Sequence, residues 1–181
     1  THSLDLGRKA ERLRSHGINR NTEQAEQRPW YYEQVELGWN FRLTDIQAAL
    51  GIEQLKRLNT SIQRRHAIAH EYDIAFSEAE FREKIDRPTL LDGHAWHLYV
   101  IRFKQQGIRD QAYHYLKEKG IITQIHYIPV YKHPYHAGHY LEKDFPGAEA
   151  YFSSCLSIPM HPSLTGKEQE DVIKALGDFL R

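Results

Sequence analysis

Apolar side chains recur at helical spacing through most of the chain, and short aromatic or branched runs interrupt them. The helical spacing predicts helices over residues 4–15, 44–62, 68–79, 109–119, 147–155 and 165–180, with a bend at residues 59–61. The aromatic and branched runs predict strands at residues 96–103, 121–128 and 156–158. Residues 19–28 and 80–94 lack either period and are predicted to be connections. Strands separated by helices indicate an α/β chain whose second half is a small α+β layer domain.

The stretch GWNFRLTDIQAALG, residues 38–51, combines a polar lead-in with the start of an apolar helix. Thr44 is a favourable N-cap, and Gln47 three residues later completes a capping box. Asp45 in the first turn suits the positive end of the helix dipole. The next residues are apolar or very small on every side, which is typical of a buried helix.

Polar and aromatic side chains alternate immediately before this helix. Asn40 and Arg42 lie next to Trp39 and Phe41 in the sequence. Donors of this kind at the start of a helix are what a phosphate-bearing ligand requires. A capped core helix, in which the Asn and Arg only satisfy local backbone groups, is the alternative that the residues leave open.

Composition narrows the classes of function. Of the 181 residues, 40% are hydrophobic and 27% charged, and the formal net charge is zero, so nothing favours binding to nucleic acid or to an anionic membrane. The single cysteine, Cys155, rules out an internal disulfide and indicates a reducing compartment, so we expect a cytoplasmic protein. No apolar run approaches the ~20 residues that span a bilayer, and the chain opens without a signal-peptide pattern.

Motif searches leave few other sites. His133, His136 and His139 are evenly spaced, but Pro134 and Gly138 interrupt any helical face, so we predict no metal site. No GxSxG, P-loop or GxGxxG motif is present. His126 and Tyr127 come at the end of a predicted strand, where α/β layers place functional groups, although a histidine that only caps a strand end is equally compatible.

The stretch GWNFRLTDIQAALG resembles the signature of the DegT/DnrJ/EryC1/StrS family of pyridoxal-phosphate-dependent sugar aminotransferases, which have fold type I. Further resemblances follow in the family's order in LRSHGI, PWYYEQVELG, HAWHLYVIRF, GIITQIHYIPVYKHPY and LSIPMHPSLTGKEQEDVI. PWYYEQVELG and HYIPVYKHPY are most similar to the branch that aminates a UDP-linked 4-keto-6-deoxy sugar to UDP-4-amino-4,6-dideoxy-N-acetyl-beta-L-altrosamine, on the way to pseudaminic acid.

The resemblance implies roles for particular residues. Asn40 would reach across a homodimer to the phosphate of pyridoxal 5'-phosphate in the partner subunit. The residues that would line the side of the nucleotide-sugar substrate are Trp39, Arg42, His126, Tyr127 and Tyr131. Many family members have histidine in place of Tyr131, and glutamate is the implied amino donor.

The resemblance also implies three regions. Residues 1–43 would end the large cofactor domain, residues 44–80 would be joining helices, and residues 81–181 would form the C-terminal small domain. The family's Schiff-base lysine lies in an S-F-x-x-x-K segment upstream of the stretch LRSHG, and no lysine of this chain has that context. We therefore expect that lysine to lie outside the chain and the chain alone to be inactive. A non-catalytic scaffold or binding module of the same ancestry is the alternative.

Overall fold

The protein divides into two units in the computed structural model, which describes residues 1–20, 22–89, 91, 93–136 and 138–181. The first unit covers residues 1–56 and the second covers residues 57–181. Mixed helices and small sheets confirm the predicted α/β class. Among the described residues, no helix is both long enough and apolar enough to cross a membrane.

The first unit begins with helix α1, Leu4–Arg14, which confirms the predicted helix. Strand β1, Ile18–Asn19, pairs antiparallel with strand β2, Glu33–Gln34. Between them, the predicted connection contains a short helix, α2, Glu23–Gln27, so that part of the prediction was wrong. The Thr22 hydroxyl accepts a hydrogen bond from the Ala25 N–H, and this local cap stabilises a helix too short to show an apolar period.

Two glycines allow the end of α1 to contact residues 36–40 directly. Gly17 has φ +70°, and a Cβ there would lie 1.8 Å from the carbonyl oxygen of Glu36. A Cβ on Gly38 would lie 2.2 Å from the Gly17 nitrogen. The Trp39 N–H donates to the Leu13 carbonyl at 2.8 Å, and the Phe41 N–H donates to that of Arg14 at 2.9 Å. These contacts fix the backbone on both sides of Asn40.

Helix α3, Asp45–Ala75, is a single 31-residue helix that begins in the first unit and ends in the second. Its predicted capping box is confirmed, because Thr44 N–H donates to Gln47 Oε1 at 3.0 Å and Gln47 N–H donates to Thr44 Oγ1 at 3.3 Å. The bend predicted at residues 59–61 is wrong. Asn, Thr and Ser each cost a helix interior well under about 1 kcal/mol, which a long continuous helix tolerates.

The start of α3 is not buried, which corrects the prediction from its composition. Ile46 is 84% exposed and Leu50 is 61% exposed. An all-round apolar helix needs surrounding side chains to be buried, and no described residue of the first unit covers these two. Only the far end of the helix enters a core, at Ile68, Ala69 and Tyr72.

The second unit contains a three-stranded antiparallel sheet in the order β3-β4-β5. The strands are β3, Ile85–Asp86; β4, Tyr99–Phe103; and β5, Cys155–Ile158. The other helices are α4, Ala79–Arg82; α5, Ile108–Glu118; α6, Pro146–Ser154; and α7, Gly166–Leu180. The predicted strands at 96–103 and 156–158 are confirmed with shifted bounds, whereas α4 and β3 fall where a plain connection was predicted.

Residues 121–128 do not form the predicted strand. Only Gln124 pairs with β5, through reciprocal backbone hydrogen bonds to Ser157 of 3.0 and 2.8 Å. Past that bridge His126 contacts Ser157 through its side chain instead of its backbone. Short 3-10 turns follow at Val130–Lys132, Pro134–His136 and Glu142–Asp144.

Aromatic rings at the centre of the second unit join α3 to the sheet. The Tyr72 ring lies 5.5 Å from Phe76 and 5.1 Å from Tyr99. Helix α7 packs on α4 and α5, and Thr165 and Glu168 form a capping box at its start. On its inner side Val172 and Leu176 are buried and Phe179 is partly buried.

Candidate functional site

Asn40 and Arg42 form a small donor group just before the N-cap of α3. Arg42 Nε donates to Asn40 Oδ1 at 2.9 Å, and an Arg42 terminal nitrogen lies 3.4 Å from Nε2 of His16. Because the amide oxygen of Asn40 is engaged by the guanidinium, the amide NH2 is the part of Asn40 that can bind a ligand. Both side chains are exposed. The group therefore offers N–H donors and a positive charge, which is a donor set for an anion.

Trp39 and Phe41 alternate along the chain with the two residues of the donor group. Their rings are stacked, with centroids 5.6 Å apart and an interplanar angle of 2°. Both rings are exposed. They form a flat apolar surface beside the donor group.

A positively charged cleft of about 750 Å³ lies within the first unit. Arginines dominate its lining, and Arg42 of the donor group is one of them. The lining residues are Arg8, Glu11, Arg12, Arg14, Ser15, His16, Ile18, Asn19, Arg20 and Arg42. Arg12 is partly neutralised, since its Nε lies 2.8 Å from Glu36 Oε1. Sequence reasoning missed this cleft, although the density of arginines over residues 8–20 was a usable signal.

His126 and Tyr127 lie in the second unit beside β5. The Nδ1 atom of His126 is 2.8 Å from the hydroxyl oxygen of Ser157. Ser157 is 4% exposed, whereas Tyr127 is 72% exposed. The imidazole is therefore anchored from the core side, and the adjacent phenol faces outward.

The Tyr131 hydroxyl is held by a neighbouring carboxylate. It donates to Glu149 Oε1 at 2.6 Å, while the ring stacks on Phe145 with centroids 4.5 Å apart. Desolvation and this hydrogen bond raise the pKa of Tyr131 to about 12. The same bond, together with that from Lys132, holds the pKa of Glu149 below its usual range. Tyr131 therefore remains protonated at neutral pH and presents its ring more than its hydroxyl.

Two arginines of the second unit, Arg64 and Arg65, act as polar anchors that sequence reasoning did not identify. Arg64 donates to the carbonyl of Leu164. Arg65 donates to the carbonyls of Trp96 at 2.9 Å and Met160 at 3.0 Å. In the part of the chain that the structure describes, no group of three or more His, Cys, Asp or Glu side chains could hold a metal ion.

A sequence model of the DegT/DnrJ/EryC1/StrS aminotransferase family matches residues 1–177. The chain belongs to this family. The resemblance found in the residues is thereby confirmed at the level of the family. The family depends on pyridoxal phosphate.

Individual relatives agree with this assignment. The chain is 36% identical over 191 aligned residues to the spore coat polysaccharide biosynthesis protein SpsC of Bacillus subtilis, covering 100% of the chain and 48% of SpsC. It is 34% identical over 185 residues to the uncharacterized protein MJ1066 of Methanocaldococcus jannaschii, covering 97% of the chain and 47% of that protein. The chain thus spans about half the length of the curated relatives that it matches.

Solved structures show the same relation. DesV of S. venezuelae, solved in complex with a ketimine intermediate, superposes with a TM-score of 0.84 at 28% identity, covering 100% of this chain and 46% of DesV. PseC of Helicobacter pylori, an aminotransferase involved in the biosynthesis of pseudoaminic acid, superposes with a TM-score of 0.81 at 26% identity. The match covers 99% of this chain and 47% of PseC. The fold of this chain is therefore that of the corresponding part of family aminotransferases.

The donor set in this chain fits one end of the family's cofactor. A phosphate monoester carries between one and two negative charges at neutral pH and accepts several hydrogen bonds. The amide of Asn40 and the guanidinium of Arg42 supply only donors toward solvent once their mutual contact is made. The two side chains lie next to a capped helix start, which further favours an anion.

Proposed function

We propose that this chain contributes to a pyridoxal-phosphate-dependent aminotransferase that transfers the amino group of glutamate to a nucleotide-linked 4-keto-6-deoxy sugar. Membership of the aminotransferase family supports the reaction class. The part of SpsC in spore coat polysaccharide biosynthesis and that of PseC in the biosynthesis of pseudoaminic acid support a sugar as the substrate. A UDP-sugar of the pseudaminic acid type, leading to the altrosamine product, is the specific substrate that we propose.

The observation that carries this proposal is the donor group at residues 40–42. We assign Asn40 to the phosphate of the cofactor bound in the partner subunit of a homodimer. The exposed amide of Asn40 supports this role because its NH2 group is accessible to an acceptor from outside its own unit. When bound, the cofactor supplies the carbonyl chemistry through which an amino group passes between the two substrates. The lysine that this chemistry requires is proposed to come from outside residues 1–181.

The homodimer itself has support in the apolar surface of the first unit. On α3, Ile46 and Leu50 are exposed four residues apart, and Ile52 and Leu55 are exposed three residues apart, so the apolar side chains of each pair lie next to each other. Exposed apolar surface of this kind promotes association. We propose that a second subunit covers it and that the same association brings Asn40 to the neighbouring cofactor.

The arginine-lined cleft supports a phosphate-bearing substrate. Guanidinium groups bind phosphate oxygens in a bidentate manner, and several in one cleft match a diphosphate better than a single neutral sugar. Arg42 belongs to both the cleft and the donor group. We therefore propose that Arg42 lies on the substrate side together with Trp39, whose exposed ring suits a flat apolar partner such as a nucleobase.

We propose that residues of the second unit bind the sugar part of the substrate. The half-buried imidazole of His126 and the exposed phenol of Tyr127 can both hydrogen-bond to hydroxyl or carbonyl oxygens. Tyr131 would contribute its ring, since its hydroxyl already donates to Glu149. Lys132 bonds Glu142 at 2.7 Å and Glu149 at 2.9 Å, so it holds this loop and does not serve as a free amine.

We propose a cytoplasmic location. Cys155 is a free, buried thiol, and its burial raises its pKa, which keeps it protonated and unreactive. A thiol of this kind is compatible with a reducing compartment.

Cofactor retention in the complete enzyme tests the assignment of Asn40. The rate at which the Asn40→Ala variant loses cofactor should be at least about tenfold higher than that of the parent enzyme. The reason is that a charge-assisted hydrogen bond is worth about 1.5–3 kcal/mol. The matched control is Asn59→Ala, which removes the same amide from an exposed position within α3. The measurement is cofactor absorbance after dialysis, with circular dichroism to check the fold. Equal retention in both variants would remove Asn40 from the cofactor site.

A further inference from the structure

The side chains of His126 and Ser157 form an isolated pair at the edge of β5. The distance between Nδ1 of the imidazole and Oγ of the serine is 2.8 Å. The backbone of Gln124 exchanges two hydrogen bonds with the backbone of Ser157. Because this bridge lies two residues before His126, it holds the chain close to the serine at the point where the imidazole contacts it.

The direction of the hydrogen bond follows from the surroundings of Ser157. Ser157 as a whole residue is 4% exposed, so its hydroxyl has little access to water. Within the described residues, its side chain has one hydrogen-bond partner, Nδ1 of His126. A buried hydroxyl that only accepts leaves its own proton unpaired, which is unfavourable. The serine therefore donates its proton to Nδ1.

We propose that Ser157 is a positioning residue that holds neutral His126 in the tautomer with its proton on Nε2. A neutral imidazole carries a single proton, so an Nδ1 atom that accepts requires Nε2 to be protonated. In the described part of the chain, Nε2 of His126 has no hydrogen-bond partner. It is therefore the atom that can donate to a ligand.

This inference deepens the proposed function and rests on it for the identity of the ligand. If His126 contacts the substrate, Nε2–H acts as a donor to an oxygen atom of the sugar or of glutamate, and it does not abstract a proton. Both sources present the same chemistry, which is a hydroxyl, carbonyl or carboxylate oxygen. A general base at this position would require the opposite tautomer.

The tautomer can be measured without any catalytic assay. Imidazole 15N shifts in alkaline solution, where an ordinary histidine is neutral, distinguish a protonated ring nitrogen from an unprotonated one. The signal of His126 is assigned by its loss in His126→Gln. We expect an excess of the Nε2–H form of about tenfold or more in the unmodified chain. A predominant Nδ1–H form would overturn the proposal. This measurement is made on the chain with Ser157 unchanged.

Variants of Ser157 test whether the serine is the cause. Ser157→Ala should bring His126 to the mixture of tautomers seen in free histidine, and Ser157→Thr should restore the excess because it keeps the hydroxyl. Ser153→Ala is the control, since the Ser153 hydroxyl is exposed and donates to the Ala150 carbonyl. An unchanged His126 signal in a folded Ser157→Ala chain would contradict the proposal.

Kinetics of the complete enzyme then separate this inference from the proposed function. Each half-reaction is measured alone, one with glutamate and one with the nucleotide sugar. Ser157→Ala should lower kcat/KM about tenfold for the substrate whose oxygen atom His126 contacts. A lower kcat/KM with glutamate would show that His126 contacts the amino donor. A lower kcat/KM with the nucleotide sugar would show that it contacts the sugar. If the tautomer is as expected but neither half-reaction changes, the positioning stands and the substrate role of His126 is wrong.

Discussion

The two units of the chain differ in where their apolar side chains lie. In the second unit a continuous cluster of aromatic and aliphatic residues is buried between α3, the sheet and α7. Among the described residues of the first unit, no hydrophobic side chain is buried. Helix α3 shows both situations in one element, since Leu50 is exposed and Ile68 is fully buried. The same apolar spacing therefore has two outcomes that depend on what surrounds the helix.

This difference suggests a division of work between the units. The second unit has the core that stabilises the chain and holds His126 against β5. The first unit is stabilised mainly by backbone hydrogen bonds, close glycine contacts and ion pairs, such as that between Arg12 and Glu36. Its exposed donors and rings are suited to groups outside the unit, which agrees with a proposed role at the interface of a dimer.

The largest expected effect comes from truncating matched leucines in the two units. Leu176→Ala should lower the free energy of unfolding by about 2–5 kcal/mol because Leu176 is fully buried. Leu50→Ala should change it by about 0.5 kcal/mol or less, as for other exposed positions. Urea unfolding followed by Trp96 fluorescence reports the second unit, provided that the exposed Trp30 and Trp39 are replaced by phenylalanine.

Comparable losses from the two leucine variants would contradict the comparison. A large loss for Leu50→Ala would mean that the first unit has a core of its own or that association already covers α3. Repeating the titration at several protein concentrations separates these cases, since only association makes the midpoint depend on concentration.

A second expected effect concerns the arginine that ties α3 to two loops. Arg65→Ala should cost about 1.5–3 kcal/mol, because it leaves the carbonyls of Trp96 and Met160 without a charged donor. Arg57→Ala, at an exposed position on the same helix, should be nearly neutral. The same fluorescence titration measures both variants. If they destabilise equally, Arg65 is not an anchor of the second unit.

A smaller effect is expected at the cap of α7. Thr165→Ala should cost about 1 kcal/mol at neutral pH because it removes one half of the capping box. Hydrogen bonds from the backbone N–H and then the hydroxyl of Thr165 hold the pKa of Glu168 below its ordinary 4.5. The charged carboxylate therefore stabilises the fold above pH 4.5, and this contribution is lost as the pH falls through the lower folded pKa.

The pH dependence distinguishes the cap from a general packing role of Thr165. The difference in unfolding free energy between the parent chain and Thr165→Ala should shrink as the pH is lowered to about 3. A difference that stays constant across this range would show that the hydroxyl does not act through Glu168.

Features whose partners are near in sequence could be predicted. Thr44 with Gln47 and Thr165 with Glu168 are capping boxes, and three-residue spacing determines the geometry of each. The helices α1, α5, α6 and α7 follow from apolar periods, and the Asn40 region follows from its residue types. The predicted roles of Trp39, Arg42, His126, Tyr127 and Tyr131 toward the substrate remain predictions, as do the bounds of the three predicted regions.

Features whose partners are distant could not be predicted. The two residues of β3 show no strand pattern, and their pairing with residues 102–103 depends on the chain between them. Arg65 has the sequence context of a solvated helix face, but its acceptors lie 31 and 95 residues away. Ser157 lies 31 residues from His126, and nothing local connects a strand serine to that imidazole. Tertiary packing decides each of these.

Complementation between two defective subunits tests the central claim most directly. One subunit carries Asn40→Ala, and the other lacks the cofactor-binding lysine of the complete enzyme. Each is inactive or weak as a homodimer. When the two are mixed and allowed to exchange subunits, the account predicts restored activity, because the site with the lysine receives Asn40 from its neighbour. If Asn40 serves the cofactor of its own subunit, no mixed dimer has a complete site. Activity that stays at the level of the separate variants after verified exchange would contradict the account.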